Sequence, residues 1–99
     1  MPKKPRLTLD EHIEMGRVLA GIRDELAHRA VQLDKTYPNS GPDGVPHKKV
    51  GAALRALDEA RSALELLLSR EHPDAAETTV YYPYPEDRSA VISSDRPAL

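Results

Sequence analysis

Apolar residues recur along the first third of the chain at Met15, Leu19, Ile22, Leu26, Ala30, Leu33 and Tyr37. Steps of three and four gather them on one stripe when successive residues turn by about 100°. A second set, Leu9, Ile13, Gly16, Ala20, Ala27 and Val31, falls on the flank of that stripe and widens the apolar arc to roughly half the circumference. Thr8-Leu9-Asp10-Glu11 has the residues of a capping box, in which Thr8 and Glu11 satisfy each other's backbone N–H groups. Proline disfavours helical geometry in the residue before it, so Tyr37-Pro38 marks the other end. The pattern predicts a helix over about 9–36.

Residues 37–46 include Asn39-Ser40-Gly41-Pro42-Asp43-Gly44, a run of turn formers with no periodicity, and are expected to reverse the chain. A second helix is predicted over about 47–71, with Val50, Ala53, Leu54, Leu57, Ala60, Leu64, Leu67 and Leu68 on its apolar face. Arg55 with Glu59 and Arg61 with Glu65 are charge pairs in the less favourable order. Pro73 ends this helix after His72. The periodicity stops there, and 73–99 is expected to be a flexible, extended tail. Thr78 to Tyr82 and Ser89 to Ser93 have strand propensity, so a short β-hairpin over 78–93 is the ordered alternative. The expected fold class is all-α, a two-helix antiparallel hairpin at 8–72 between a basic arm at 1–7 and the tail.

Two helices packed side by side bury one seam, and the arc of the first is too broad for it. An uncovered apolar flank wastes stabilisation at about 25 cal/mol per Å² and is the kind of patch that marks association. A homodimer in which two hairpins build a four-helix bundle would cover it. The tail folding back, or a different protein, would serve as well. The residues expected to meet a partner are Ile13, Ala20, Ala27 and Val31 on the flank, and Tyr81, Tyr82 and Tyr84 in the tail, since exposed tyrosines bring contact area at low entropic cost.

Ninety-nine residues suffice for one domain with a thin core, and the chain has no Phe or Trp to thicken it. A net charge of −2 argues against a strongly cationic nucleic-acid binder. The absence of cysteine removes disulfides, thiolate catalysis and cysteine zinc sites, and suits a reducing compartment. No apolar segment follows the basic start, and no run reaches the length of a membrane span, so a cytoplasmic protein is expected. Abundant Ala, with Arg exceeding Lys, suggests a bacterial genome rich in G and C.

Several short motifs carry chemistry elsewhere. Glu25 and His28 have the E-x-x-H spacing of di-iron carboxylate bundles, but the second helix has no matching pair. Arg23 to His28 resembles the R-x4-6-H signature of HEPN-type ribonucleases, which would imply RNA cleavage, although the larger helical scaffold of that family is missing. Tyr82-Pro83-Tyr84-Pro85-Glu86 resembles the Y-x-x-x-D/E tail signal of WXG100-type secreted hairpins, which would imply export as a bundle; their W-x-G turn is missing. Met1 to Arg6 with Lys48 and Lys49 would be the phosphate-contacting groups of a nucleic-acid-associated regulator. His12, His47 and His72 are isolated in sequence, and Asp58-Glu59 lies on a surface that would not perturb either acid. No catalytic, cofactor-binding or metal-ligating residue is therefore assigned, and the expected function is a small non-enzymatic protein-interaction or regulatory module.

Overall fold

The computed structural model describes residues 5–89. Helix α1 spans Leu9–Thr36, α2 spans Val45–Glu71, and a single helical turn, α3, spans Thr78–Tyr81. Short 3-10 turns lie at Pro42–Gly44 and Pro85–Asp87, and there is no strand among the described residues. The protein is all-α, and no described helix is long and apolar enough to cross a membrane.

The local signals act as the sequence leads one to expect. Thr8 Oγ1 accepts from the Glu11 amide at 3.1 Å while the Thr8 amide donates to Glu11 Oε1 at 2.8 Å, so both arms of the capping box form. Gly41, at φ 72°, takes the left-handed conformation that the connection requires. Helix α2 begins at Val45, two residues before the expected start, because Pro46 sits in the first turn, where no intrahelical N–H is required of it. Cross-links set the direction of the pair. His12 meets Glu71, Arg23 meets Asp58 at 3.0 Å, and Asp34 lies 4.0 Å from His47, so α1 and α2 run antiparallel.

The tail departs from expectation. Rather than staying extended or pairing as a β-hairpin, it turns back at Pro73 and lays α3 across α1 and α2. In a strand, Val80 and Tyr81 would point to opposite faces. Both are buried in one core with Leu68, flanked by Leu9, Ile13, Leu64, Ala76 and Tyr82, and only a helical turn lets adjacent residues share it. The second half of the expected β-hairpin, 90–93, lies outside the described residues.

Small residues on α1 admit the tail backbone. A Cβ at Gly16 would stand 1.8 Å from the Val80 carbonyl oxygen, and one at Gly21 would stand 1.5 Å from that of Ser89. Between them the Ser89 amide donates to the Arg17 carbonyl at 3.1 Å, and Arg88 reaches Asp24 at 2.9 Å and the Pro83 carbonyl at 2.9 Å. The flank set of α1 is therefore covered in its first half by the chain itself. Burying an aliphatic side chain such as Leu68 or Val80 contributes on the order of 2 kcal/mol.

The opposite side of the helix pair stays open. At about 100° per residue, Met15, Ile22 and Leu26 lie roughly 160° around α1 from Arg17, Gly21 and Asp24, which face the tail. Met15 is 38% exposed, and Ile22 and Leu26 are only half-buried. On α2, Leu67, about 120° around the helix from the tail-facing Arg61, projects to the same side and is half-buried too, whereas Leu64 packs against the tail core. Neither expected charge pair on α2 forms; Arg61 turns to Asp58 and to the Tyr81 carbonyl instead.

In an exposed helix, Gly to Ala stabilises by about 1 kcal/mol. Gly16→Ala is expected to do the opposite, lowering unfolding stability by about 1–3 kcal/mol through overpacking against Val80. It should also open the chain beyond His72 to proteolysis. Urea denaturation and limited digestion check this, and a stabilised, equally resistant variant would contradict the docked tail.

Candidate functional site

Near the start of α1 and the end of α2, four polar side chains from all three helical segments and the junction between α2 and α3 converge. His12, fully buried, falls on the α1 face turned toward α2. Its Nε2 stands 2.9 Å from Glu71 Oε1, and its Nδ1 is hydrogen-bonded to the Tyr81 hydroxyl. A carboxylate only accepts, so in the neutral imidazole Nε2–H donates to Glu71 and Nδ1 accepts from the Tyr81 O–H. His72, the residue that caps α2, donates from Nε2 to the Leu7 carbonyl at 2.9 Å. The two imidazole rings stand edge to face with centres 5.6 Å apart. One nitrogen from each ring and one Glu71 oxygen lie within 4.8 Å of one another.

Tyr81 belongs to the cluster at both ends. Its ring is in the core, its hydroxyl meets His12, and its carbonyl accepts from Arg61 Nη2 at 2.9 Å and Nε at 3.2 Å. Arg61 is 4% exposed, and its guanidinium also stacks on the Tyr82 ring at 4.5 Å and faces Asp58 at 3.5 Å. A buried cation needs such partners, because desolvation without them is prohibitive. Burial, and then the Glu71 charge, push the Tyr81 hydroxyl above its ordinary pKa of 10.0.

A tyrosine, a histidine and a carboxylate in series resemble a nucleophile, a base and an orienting acid. Access decides against that chemistry, because Tyr81 and His12 are both fully buried. The nearby cleft between α1 and the tail is lined by Ile13, Arg17, Glu77, Thr79, Val80 and Tyr84, and reaches neither reactive group. The cluster can hold a proton or an ion, with Glu71 and His72 at its partly exposed edge.

The expected partner-binding residues separate into three groups. Ala20, 1% exposed, and Tyr81 are buried within the chain and are corrected from partner contacts to core. Ile13 and Tyr82 are half-buried against the tail and Arg61, and Ala27 is half-buried beyond them. Val31, at 52%, and Tyr84, at 61%, remain exposed. Of the three histidines isolated in sequence, His12 is buried and lies beside His72, the residue that caps α2, while His47 is half-exposed near Asp34.

The short motifs are not assembled into sites. Arg23 pairs with Asp58 across the helices while His28 is exposed, so the ribonuclease-like residues diverge. Glu25 pairs with Arg29 at 3.0 Å and leaves His28 alone. Lys48 and Lys49 are exposed at the start of α2, and residues 1–4 lie outside the described region. Compared with protein-family models, curated proteins and solved structures, the chain matches none.

His12, Glu71 and Arg61 carried a sequence signal of spacing alone. Across the turn, contacting residues pair in a nearly constant register, 12 with 71, 23 with 58 and 34 with 47, so a hairpin reading places His12 beside Glu71. Tyr81 had no such signal, because it arrives from a segment without periodicity.

Because native Tyr81 holds its proton more tightly than the unfolded chain does, its contribution is complete below about pH 10 and is lost as pH rises toward the native pKa. Stability should therefore fall above pH 10 more steeply in the native chain than in Tyr81→Phe. At neutral pH the variant should be less stable by about 1–3 kcal/mol, since His12 Nδ1 is left without its donor. Thermal unfolding across pH 7–11 checks both, and parallel alkaline profiles would contradict the assignment.

Proposed function

We propose that this chain is a small non-enzymatic interaction module, an antiparallel helical hairpin that pairs with a second copy of itself to form a four-helix bundle. The supporting observation is the asymmetry of the helix pair: one side is filled by the chain's own tail, while the other leaves Met15, Ile22, Leu26 and Leu67 half-buried or exposed. Four large apolar side chains gathered on one side differ from singly scattered surface residues.

Dimensions favour a second copy as the occupant. Helices of 28 and 27 residues are about 40 Å long, and packed about 10 Å apart they present a face of roughly 40 by 20 Å. That is roughly 800 Å² per copy, the share each partner gives to a stable interface. Face-to-face packing of two such pairs is the geometry of a four-helix bundle, and Ala53 and Ala60 beside the leucines let the helices approach closely. In this arrangement the tail lies outside the bundle, with Tyr84, Pro85 and Glu86 exposed for other proteins.

The face expected to mediate association therefore shifts from the Ile13-to-Val31 flank to its opposite edge. Val18, 36% exposed, sits at the margin of the new face and supports little of the monomer's own core. Sedimentation equilibrium should show a dimer at micromolar concentration, and Val18→Glu with Met15→Glu should weaken it at least about tenfold, or 1.4 kcal/mol, with helical content unchanged. A native chain that stays monomeric at high micromolar concentration would contradict the reading. So would a dimer that ignores both substitutions.

A further inference from the structure

The cluster at the α1–α2 end has the donor set and the supporting contacts of a metal centre. We propose that His12, Glu71 and His72 bind one divalent transition-metal ion per chain, with Zn²⁺ the ion best matched to two imidazole nitrogens and one carboxylate oxygen. This goes beyond self-association and does not depend on it, since all three ligands come from one copy.

Geometry supplies the first argument. Two imidazoles on one tetrahedral Zn²⁺, with metal–nitrogen bonds of about 2.0–2.1 Å, hold their ring centres roughly 5–6 Å apart. The His12 and His72 rings stand at 5.6 Å. The three donor atoms lie within 4.8 Å of one another, and donors on one tetrahedral Zn²⁺ stand about 3.3 Å apart, so side-chain rotations that close up to roughly 1.5 Å bring all three onto one ion. Glu71 already points at His12 from 2.9 Å, close to the separation of neighbouring ligands on a common metal.

The second argument is independent of those distances. Metal-binding histidines generally have their other ring nitrogen fixed by a carbonyl, carboxylate or hydroxyl, which sets ring orientation and tautomer. His72 Nε2 is held by the Leu7 carbonyl at 2.9 Å, and its Nδ1 has no hydrogen-bond partner among the described residues. His12 Nδ1 is held by the Tyr81 hydroxyl, which turns Nε2 toward Glu71. His12 thus has one restrained nitrogen and one turned toward Glu71, and His72 has one restrained nitrogen and one with its lone pair available to an ion.

Donor chemistry selects the class of ion. Ca²⁺ and Mg²⁺ favour shells made of oxygen, whereas mixed imidazole and carboxylate donors suit Zn²⁺ and its neighbours in the first transition row. For Nε2 to offer its lone pair to the ion, the His12 imidazole would carry its proton on Nδ1, with the hydrogen bond to Tyr81 reversed: Nδ1–H donates to the Tyr81 oxygen and the hydroxyl hydrogen rotates away from the ring. Both imidazoles stay neutral, so no net proton leaves them. Three protein ligands leave the fourth tetrahedral position to water, on the side where Glu71 is 15% exposed. The ion would tie the first turn of α1 to the end of α2 and, through Tyr81, to the tail.

The test uses the untagged full chain, stripped with chelator and titrated with ZnCl₂ by calorimetry, with Co²⁺ absorption reporting coordination geometry. One Zn²⁺ per chain, the visible spectrum of tetrahedral Co²⁺, and a higher Tm are expected. Because His12→Ala could unfold the core, the deciding variants are Glu71→Gln and His72→Gln, each expected to weaken binding at least about tenfold while circular dichroism is retained. His28→Gln, at an exposed histidine elsewhere, should bind like the native chain. Absence of saturable binding would overturn the proposal, as would affinity unchanged in Glu71→Gln and His72→Gln, or affinity lost in His28→Gln.

Discussion

Tyr81 is the residue on which the packing of this small protein turns. Its ring fills the core beside Leu68 and Val80, its hydroxyl meets buried His12, and its carbonyl satisfies buried Arg61. Remove the segment that carries it, and His12 Nδ1 loses its donor while the Arg61 guanidinium loses its closest acceptor, leaving Glu71 and Asp58 as their remaining partners. The apolar and polar contributions therefore reinforce one another. Burial of the ring places the hydroxyl and carbonyl, and the two bonded groups fix the ring.

This coupling gives the helix pair two unlike sides. The side with Gly16, Ala20 and Gly21 has so little side-chain bulk that backbone can lie directly against α1, and the tail fills it. The side with Met15, Ile22 and Leu26 is built of long side chains that no described segment of the chain covers. Covering one side internally shifts the surface on which the proposed self-association rests to the opposite edge of α1. The polar cluster lies at the end of the pair, near the junction with the tail, where a bound ion would strengthen the same attachment that Tyr81 makes.

Much of the helical architecture was legible in the sequence. The capping box at Thr8, the proline stop at Pro38 and the leucine spacing located both long helices, because those signals act within one or two turns. The tail was misread because strand propensity in Thr78 to Tyr82 is weak beside the stabilisation gained when Val80 and Tyr81 are buried together, and tertiary contacts override propensity of that size. Gly16 and Ala20 were noticed as an apolar flank, but small residues mark where backbone can approach without saying whose backbone it is. His12 was read as isolated, since the register that sets it beside Glu71 emerges only when the two helices are paired across the turn. Its partners are 59 and 69 positions away in the chain.

Backbone hydrogen exchange offers the most direct measure of whether the tail is an integral layer. The Val80, Tyr82 and Ser89 amides donate to the carbonyls of Glu77, Thr78 and Arg17, and the last of these bonds exists only when the tail lies on α1. Exchange at all three amides should be slow and should accelerate together in Gly16→Ala. Exchange at the rate of an unstructured peptide, while the amides of α1 and α2 remain protected, would contradict the docked tail and the buried place of Tyr81.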